Sequence, residues 1–168
     1  SALSLRAPLA ADPRTNGYRL VHGPNDALPG FVLDRYGDVF VLKLYSEVWA
    51  AWLADALPVL RELAPWATLV LRTARGVRDA LAAHGLADGL VLDGPPPEGP
   101  VVFRENGIRF EADPLRGQKT GFFLDQRENR ERVEALADGR DVLNVFSYNG
   151  GFSLYAARGG ARRVASVD

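Results

Sequence analysis

Two short stretches of this chain hold residue types that could do chemistry. In the first, Ser147-Tyr148-Asn149-Gly150-Gly151, adjacent glycines follow a strand-like run from Val142 to Phe146. A short helical run, Phe152 to Arg158, comes next, and a second strand-like run from Val164 ends on Asp168. Parallel strands joined by a helix bring the first loop and the end of the second strand together at the carboxyl edge of the sheet. Glycines at 150 and 151 let a ligand approach backbone N–H groups, and an acid about 20 residues beyond such a loop is where a ribose diol is held. The unit therefore fits an adenosine-containing cofactor. Phe146, Tyr148, Asn149 and Gly150 would wall it, and Asp168 would accept hydrogen bonds from its ribose.

The glycine spacing bears on which cofactor this is. A dinucleotide site needs G-x-G-x-x-G with the helix start facing a pyrophosphate. Here the glycines are adjacent, and Phe152 stands where the helix must begin. S-adenosylmethionine carries no phosphate, so it needs the close loop and the ribose acid without an anion nest. The pattern tilts toward the methyl donor, with a nucleotide- or dinucleotide-binding enzyme as a third reading.

The second stretch is denser: Gly117-Gln118-Lys119-Thr120-Gly121-Phe122-Phe123-Leu124-Asp125-Gln126-Arg127. Glycines bracket a polar triplet, then two aromatics precede a helix start. Backbone N–H groups, the helix dipole and Gln118, Lys119 and Arg127 could converge on a carboxylate or phosphate. The plainer alternative is a surface turn in which Phe122 and Phe123 plug the core beneath it.

The elements that must position these stretches follow from pattern. Residues 1–16 show no sustained period and contain Pro8 and Pro13, which reads as a loose lead-in segment. Strand-like runs Phe31–Tyr36 and Val39–Tyr45 flank Gly37-Asp38, a hairpin signal. Trp49, Leu53, Leu57 and Leu60 recur at helical spacing within 47–63, with Ser46 as N-cap and Pro58 expected to kink or split the helix. Thr68–Leu71 and Leu90–Leu92 read as further strands. Residues 17–94 thus form a small β-β-α-β-β domain. The proline-rich 95–100 is the linker, and 101–168 begins with a hairpin whose Asn106-Gly107 loop sets Phe103 across from Phe110 and Arg104 across from Arg109. Asp125 with Glu128 reads as a capping pair opening a helix to about Ala137.

Composition narrows the classes. Of 168 residues 47% are apolar and 24% charged, ordinary globular usage that excludes wholesale disorder. A net charge of −1 lacks the positive excess of a generic nucleic-acid binder. Arg72, Arg75 and Arg78 could meet RNA phosphates, a solvated face being the simpler reading. His22 and His84 have no partner at metal-ligand spacing. Zero cysteines exclude disulfides and thiolate nucleophiles within these residues. No apolar run approaches a membrane span, so the expected compartment is the cytoplasm, with no membrane partner.

Gly117 to Arg130 and Val142 to Ser153 together resemble the bacterial S-adenosylmethionine-dependent 23S ribosomal RNA cytosine-C5 methyltransferases of the large subunit methyltransferase I type. Leu28-Pro29-Gly30-Phe31-Val32-Leu33-Asp34-Arg35-Tyr36-Gly37-Asp38 is similar to the opening of that family's central domain. The resemblance runs from about Tyr18 to Asp168. It implies an N-terminal PUA RNA-binding domain, a central β-β-α-β-β domain and a Rossmann-like class I methyltransferase domain. It also implies that Gln118 and Arg127 brace the methionine end or the loop. The chain departs from the pattern at Asn144 and Asn149, where Asp and Thr are expected, and in lacking the PUA domain and the downstream catalytic cysteines.

The expectation is an α/β chain consisting of the central domain and the N-terminal part of a methyltransferase domain. Without an initiator methionine, and ending on a strand, it reads as a processed or excised piece. Its parent would act on ribosomal RNA, and the piece itself would be inactive. The competing expectation is a non-catalytic RNA-binding or self-association module, possible as a homodimer.

Overall fold

The computed structural model describes residues 2–168. They form two compact units, one reaching to Phe122 and the other running from Phe123 to Asp168.

The first unit is built on a five-stranded sheet: β1 (Gly17–His22), β2 (Phe31–Tyr36), β3 (Val39–Leu44), β4 (Thr68–Thr73) and β5 (Val91–Asp93), in that order. Neighbours are antiparallel except β3 and β4, which helix α2 (Trp49–Leu63) joins as a parallel pair. Side chains alternate between the faces of a strand. Phe31, Leu33, Phe40, Leu42, Leu69 and Leu71 accordingly enter one core with Leu53 of α2 and Trp66. Asp34, Tyr36 and Lys43 point to the opposite face.

That opposite face is covered by the hairpin β6 (Val101–Glu105) and β7 (Ile108–Ala112). Asn106 and Gly107 have φ of 51° and 84°, so the two-residue loop, the Phe103–Phe110 pair and the Arg104–Arg109 pair form as the sequence dictates. Phe103 packs edge-on against Tyr36 at 5.1 Å and against Phe122 at 4.9 Å. These aromatics carry the first compact unit past the proline segment 95–100, so the packing break falls after Phe122.

Other differences have physical causes. Residues 2–11 are not loose but form helix α1 (Ala2–Ala11), with Pro8 inside it. Arg6 ties this helix to Asp26 at 2.7 Å, a tertiary ion pair that no local period announces. β1 adds an edge strand to the expected β-β-α-β-β set, and a short helix, α3 (Arg78–Ala83), precedes β5. Pro58 does not split α2: it is exposed, while Leu53 and Leu60 hold the helix against the core on its other side. Val48, not Ser46, is the N-cap; the Ser46 Oγ accepts the Val48 N–H at 3.4 Å.

The second unit starts with a 3-10 turn (Leu124–Gln126) leading into α4 (Arg127–Leu136), then β8 (Asp141–Val145), α5 (Gly151–Arg158) and β9 (Arg163–Val167). Gln126, rather than Asp125, is the N-cap of α4, and no side chain caps it. The turn supplies the entry bond instead, from the Gln126 N–H to the Phe123 carbonyl at 3.1 Å. β8 and β9 are parallel and paired from Asp141↔Arg163 to Val145↔Val167. Gly159 lets α5 approach α4, since an added Cβ would fall on the Glu134 carbonyl. Arg158 fastens the same seam through a two-pronged contact with the Glu134 carboxylate.

Candidate functional site

Because β8 and β9 end in register at Val145↔Val167, the loop after β8 and the residue after β9 meet at one edge. The Ser147 N–H donates to the Val167 carbonyl at 3.1 Å, and the Tyr148 N–H donates to Asp168 Oδ1 at 3.1 Å. The acid thus points at the bend. The loop itself is tightly wound: Phe146, Tyr148 and Gly150 all have left-handed φ, at 60°, 50° and 72°. Asn149 Oδ1 accepts the Gly151 N–H at 3.2 Å, and the Gly150 N–H donates to the Ser147 carbonyl at 2.8 Å. Gly150 is the N-cap of α5, and the space a Cβ would occupy there is open. Phe146 is 87% exposed and Tyr148 40% exposed, leaving aromatic surface on the loop that carries the Asp168 contact.

Five of the seven residues singled out from sequence, Phe146, Tyr148, Asn149, Gly150 and Asp168, therefore share one edge. Arg127 sits in the first turn of α4 in the same unit, half-buried. Gln118 belongs to the first unit and is exposed.

The loop is braced by contacts that the sequence reading did not foresee. Tyr148 packs edge-on against Phe123 at 5.2 Å. The buried Arg130 donates from Nη1 to the Phe123 carbonyl at 3.1 Å, with its guanidinium 6.0 Å from the Phe152 ring and 5.9 Å from the Tyr155 ring. Beneath the loop, Asn144 Nδ2 donates to Ser153 Oγ at 2.9 Å, and Ser153 Oγ lies 2.6 Å from Ser166 Oγ, linking β8, α5 and β9. Asn144 thus has a bonding role of its own. Arg130 was camouflaged by the charged run Arg127-Glu128-Asn129-Arg130-Glu131-Arg132. Its partner is a backbone carbonyl ahead of the helix, which no side-chain pattern announces.

In the first unit the 117–121 loop is clamped onto the sheet. Thr120 Oγ1 donates to Asp34 Oδ2 at 2.6 Å and lies 2.9 Å from the Tyr36 hydroxyl. Arg19 grips both oxygens of the fully buried Asp34, at 2.8 and 3.0 Å. Lys43 Nζ donates to the Lys119 carbonyl at 3.2 Å, and Arg72 Nη1 to the Gly117 carbonyl at 3.0 Å. Burial, with repulsion from Arg72, lowers the Lys43 pKa, and burial raises that of the Tyr36 phenol well above its usual value. Both glycines are needed, as a Cβ on Gly121 would lie 2.9 Å from the Asp113 carbonyl and one on Gly117 2.5 Å from it. Phe122 fills the core beneath, as the plainer reading of this stretch has it, but Phe123 does not: it is half-buried and opens the second unit.

Arg72 is not part of a solvated face. Its Nε pairs with Asp88 at 3.1 Å and its side chain is only 12% exposed. Among the described residues no group of three or more His, Cys, Asp or Glu could hold a metal ion, and no helix is long and apolar enough to cross a membrane.

Comparison with known proteins identifies the family. The sequence pattern of a family described as S-adenosylmethionine-dependent methyltransferase matches residues 81–168. A ribosomal RNA large subunit methyltransferase of Deinococcus radiodurans is 52% identical over all of this chain, and ribosomal RNA large subunit methyltransferase I of Aliivibrio fischeri is 41% identical over 99% of it. The chain spans 42% of the length of each. Among solved structures, a candidate S-adenosylmethionine-dependent methyltransferase from Streptococcus mutans superposes with a TM-score of 0.84 at 29% identity, covering 99% of this chain and 42% of that one. A second, a candidate methyltransferase complexed with SAH, gives 0.84 at 28% identity over 99% of this chain and 42% of that chain. With its family pattern spanning more than half of its residues, the chain belongs to the S-adenosylmethionine-dependent methyltransferases and is homologous to the bacterial large-subunit ribosomal RNA enzymes.

Proposed function

We propose that this chain is part of an enzyme that methylates carbon 5 of a cytosine in 23S ribosomal RNA, and that its share of the work is the adenosyl edge. The observation that carries the reading is the Asp168–Tyr148 bond across the ends of two parallel strands. One carboxylate oxygen fixes the loop, while Oδ2 has no protein donor among the described residues, which leaves it as an acceptor for a ribose diol. The open space at Gly150 and the exposed ring of Phe146 suit an adenosyl group laid against backbone. Asn149 holds the loop's turn, Tyr148 lines it, and Arg127 braces the methionine end or the loop. When bound, S-adenosylmethionine supplies a methyl group made electrophilic by its sulfonium.

Carbon 5 of cytosine becomes nucleophilic once a thiolate adds at carbon 6. These 168 residues contain no cysteine, so the chain by itself turns over no RNA. Its ligand preference tests the proposal. S-adenosylhomocysteine raises the melting temperature and NAD does not, because only a ligand that binds the folded state stabilises it. Stabilisation by NAD alone overturns the reading.

A further inference from the structure

We infer that Arg130 is a positioning residue for the glycine loop and acts on it through Phe123. Arg130 is 2% exposed, an unusual state for a charged side chain without a specific task. Its guanidinium does two things at once. It donates to the Phe123 carbonyl at 3.1 Å and lies near the Phe152 and Tyr155 rings of α5. One planar group therefore ties the residue ahead of α4 to the helix that the loop starts. Phe123 in turn sets its ring edge against Tyr148 at 5.2 Å, and Tyr148 is the residue whose N–H meets Asp168. The chain Arg130–Phe123–Tyr148–Asp168 fixes a loop in which Phe146 and Tyr148 both hold left-handed φ without being glycine. Such backbone persists only where surroundings over-determine it. A lysine could keep the hydrogen bond but lacks the delocalised planar guanidinium that lies near both rings.

The functional consequence rests on the adenosyl reading of the loop, but the positioning itself is measurable without ligand. Amide hydrogen exchange followed by NMR on the full chain compares the wild type with Arg130→Met, Arg130→Lys and Phe123→Leu. In Arg130→Met the Tyr148 and Gly150 amides exchange at least tenfold faster, while those of β8 and β9 keep their rates. Arg130→Lys recovers part of that protection. Phe123→Leu, which leaves the backbone carbonyl in place, reproduces the loop effect and covers the case in which Arg130→Met does not fold. A uniform rise across all amides, or unchanged loop amides in Phe123→Leu, overturns the inference. Titration with S-adenosylhomocysteine then separates the two readings. About tenfold weaker binding in Arg130→Met supports both, whereas a wild type that binds none removes the adenosyl reading and leaves the exchange result to decide the role of Arg130.

Discussion

Thr120→Val removes one hydroxyl from the clamp that holds the 117–121 loop and changes little else in shape. Thr120 is fully buried; its Oγ1 donates to Asp34 Oδ2 at 2.6 Å and sits 2.9 Å from the Tyr36 hydroxyl. A hydrogen bond to a charged group contributes about 1.5–3 kcal/mol, and taking one of two partners from the buried Tyr36 hydroxyl, which keeps its bond to the Phe122 backbone, costs about 1 kcal/mol more. The two effects share one atom and are not independent, and Arg19 still holds both Asp34 oxygens, so the loss should be about 3 kcal/mol. For a chain of this size that is roughly 6–12 °C in Tm. Thr120→Ser keeps the hydroxyl and gives up only a methyl group, costing about 1 kcal/mol. Urea denaturation monitored by tryptophan fluorescence is the assay, since all three tryptophans lie at or before residue 66. Equal losses in Val and Ser would refute the hydroxyl's role and leave packing as the only contribution of Thr120.

Three further outcomes follow from the same structure. Burial pushes the Asp88 carboxyl up, but the Thr73 N–H and the Arg72 guanidinium outweigh it and hold the group below its ordinary value of 3.8. Its stabilisation is therefore complete above that ordinary value and lost as pH falls through the lowered one, so Asp88→Asn should reduce the acid dependence of stability below about pH 4 in urea titrations. Gly159→Ala drives a methyl group onto the Glu134 carbonyl and should cost about 2–3 kcal/mol, seen as faster exchange of α4 and α5 amides; a neutral substitution contradicts the close approach of the two helices. Gly150→Ala meets open space, so only its φ of 72° matters, and the expected loss is about 1 kcal/mol in a thermal melt.

What the sequence makes legible is whatever is decided within a few residues. The Asn106-Gly107 hairpin forms because both loop positions must take positive φ, and the β8–loop–α5–β9 unit forms because its apolar runs and glycines leave few alternatives. What stays hidden is decided by distant partners. Helix α1 is held by Arg6 reaching Asp26 and by Leu3 and Leu9 packing on the core, and β1 takes its place from pairing with β2. Asp34 interrupts an apolar strand with no local hint that Arg19 and Thr120 will neutralise it. The site shows the same division. The residues of the glycine loop and Asp168 follow from chain order, whereas Arg130, Asn144, Ser153 and Ser166 owe their roles to contacts across elements. The reach of Phe103 onto both Tyr36 and Phe122 likewise keeps the hairpin with the first unit, so the packing break lies beyond the proline segment.

Mapping S-adenosylhomocysteine onto the chain by amide chemical-shift perturbation, with Asp168→Ala alongside, addresses the adenosyl edge most directly. Perturbations should concentrate on residues 146–151 and 167–168, and removal of the carboxylate should weaken binding at least tenfold. Perturbations centred elsewhere, or unchanged affinity in Asp168→Ala, would contradict the assignment.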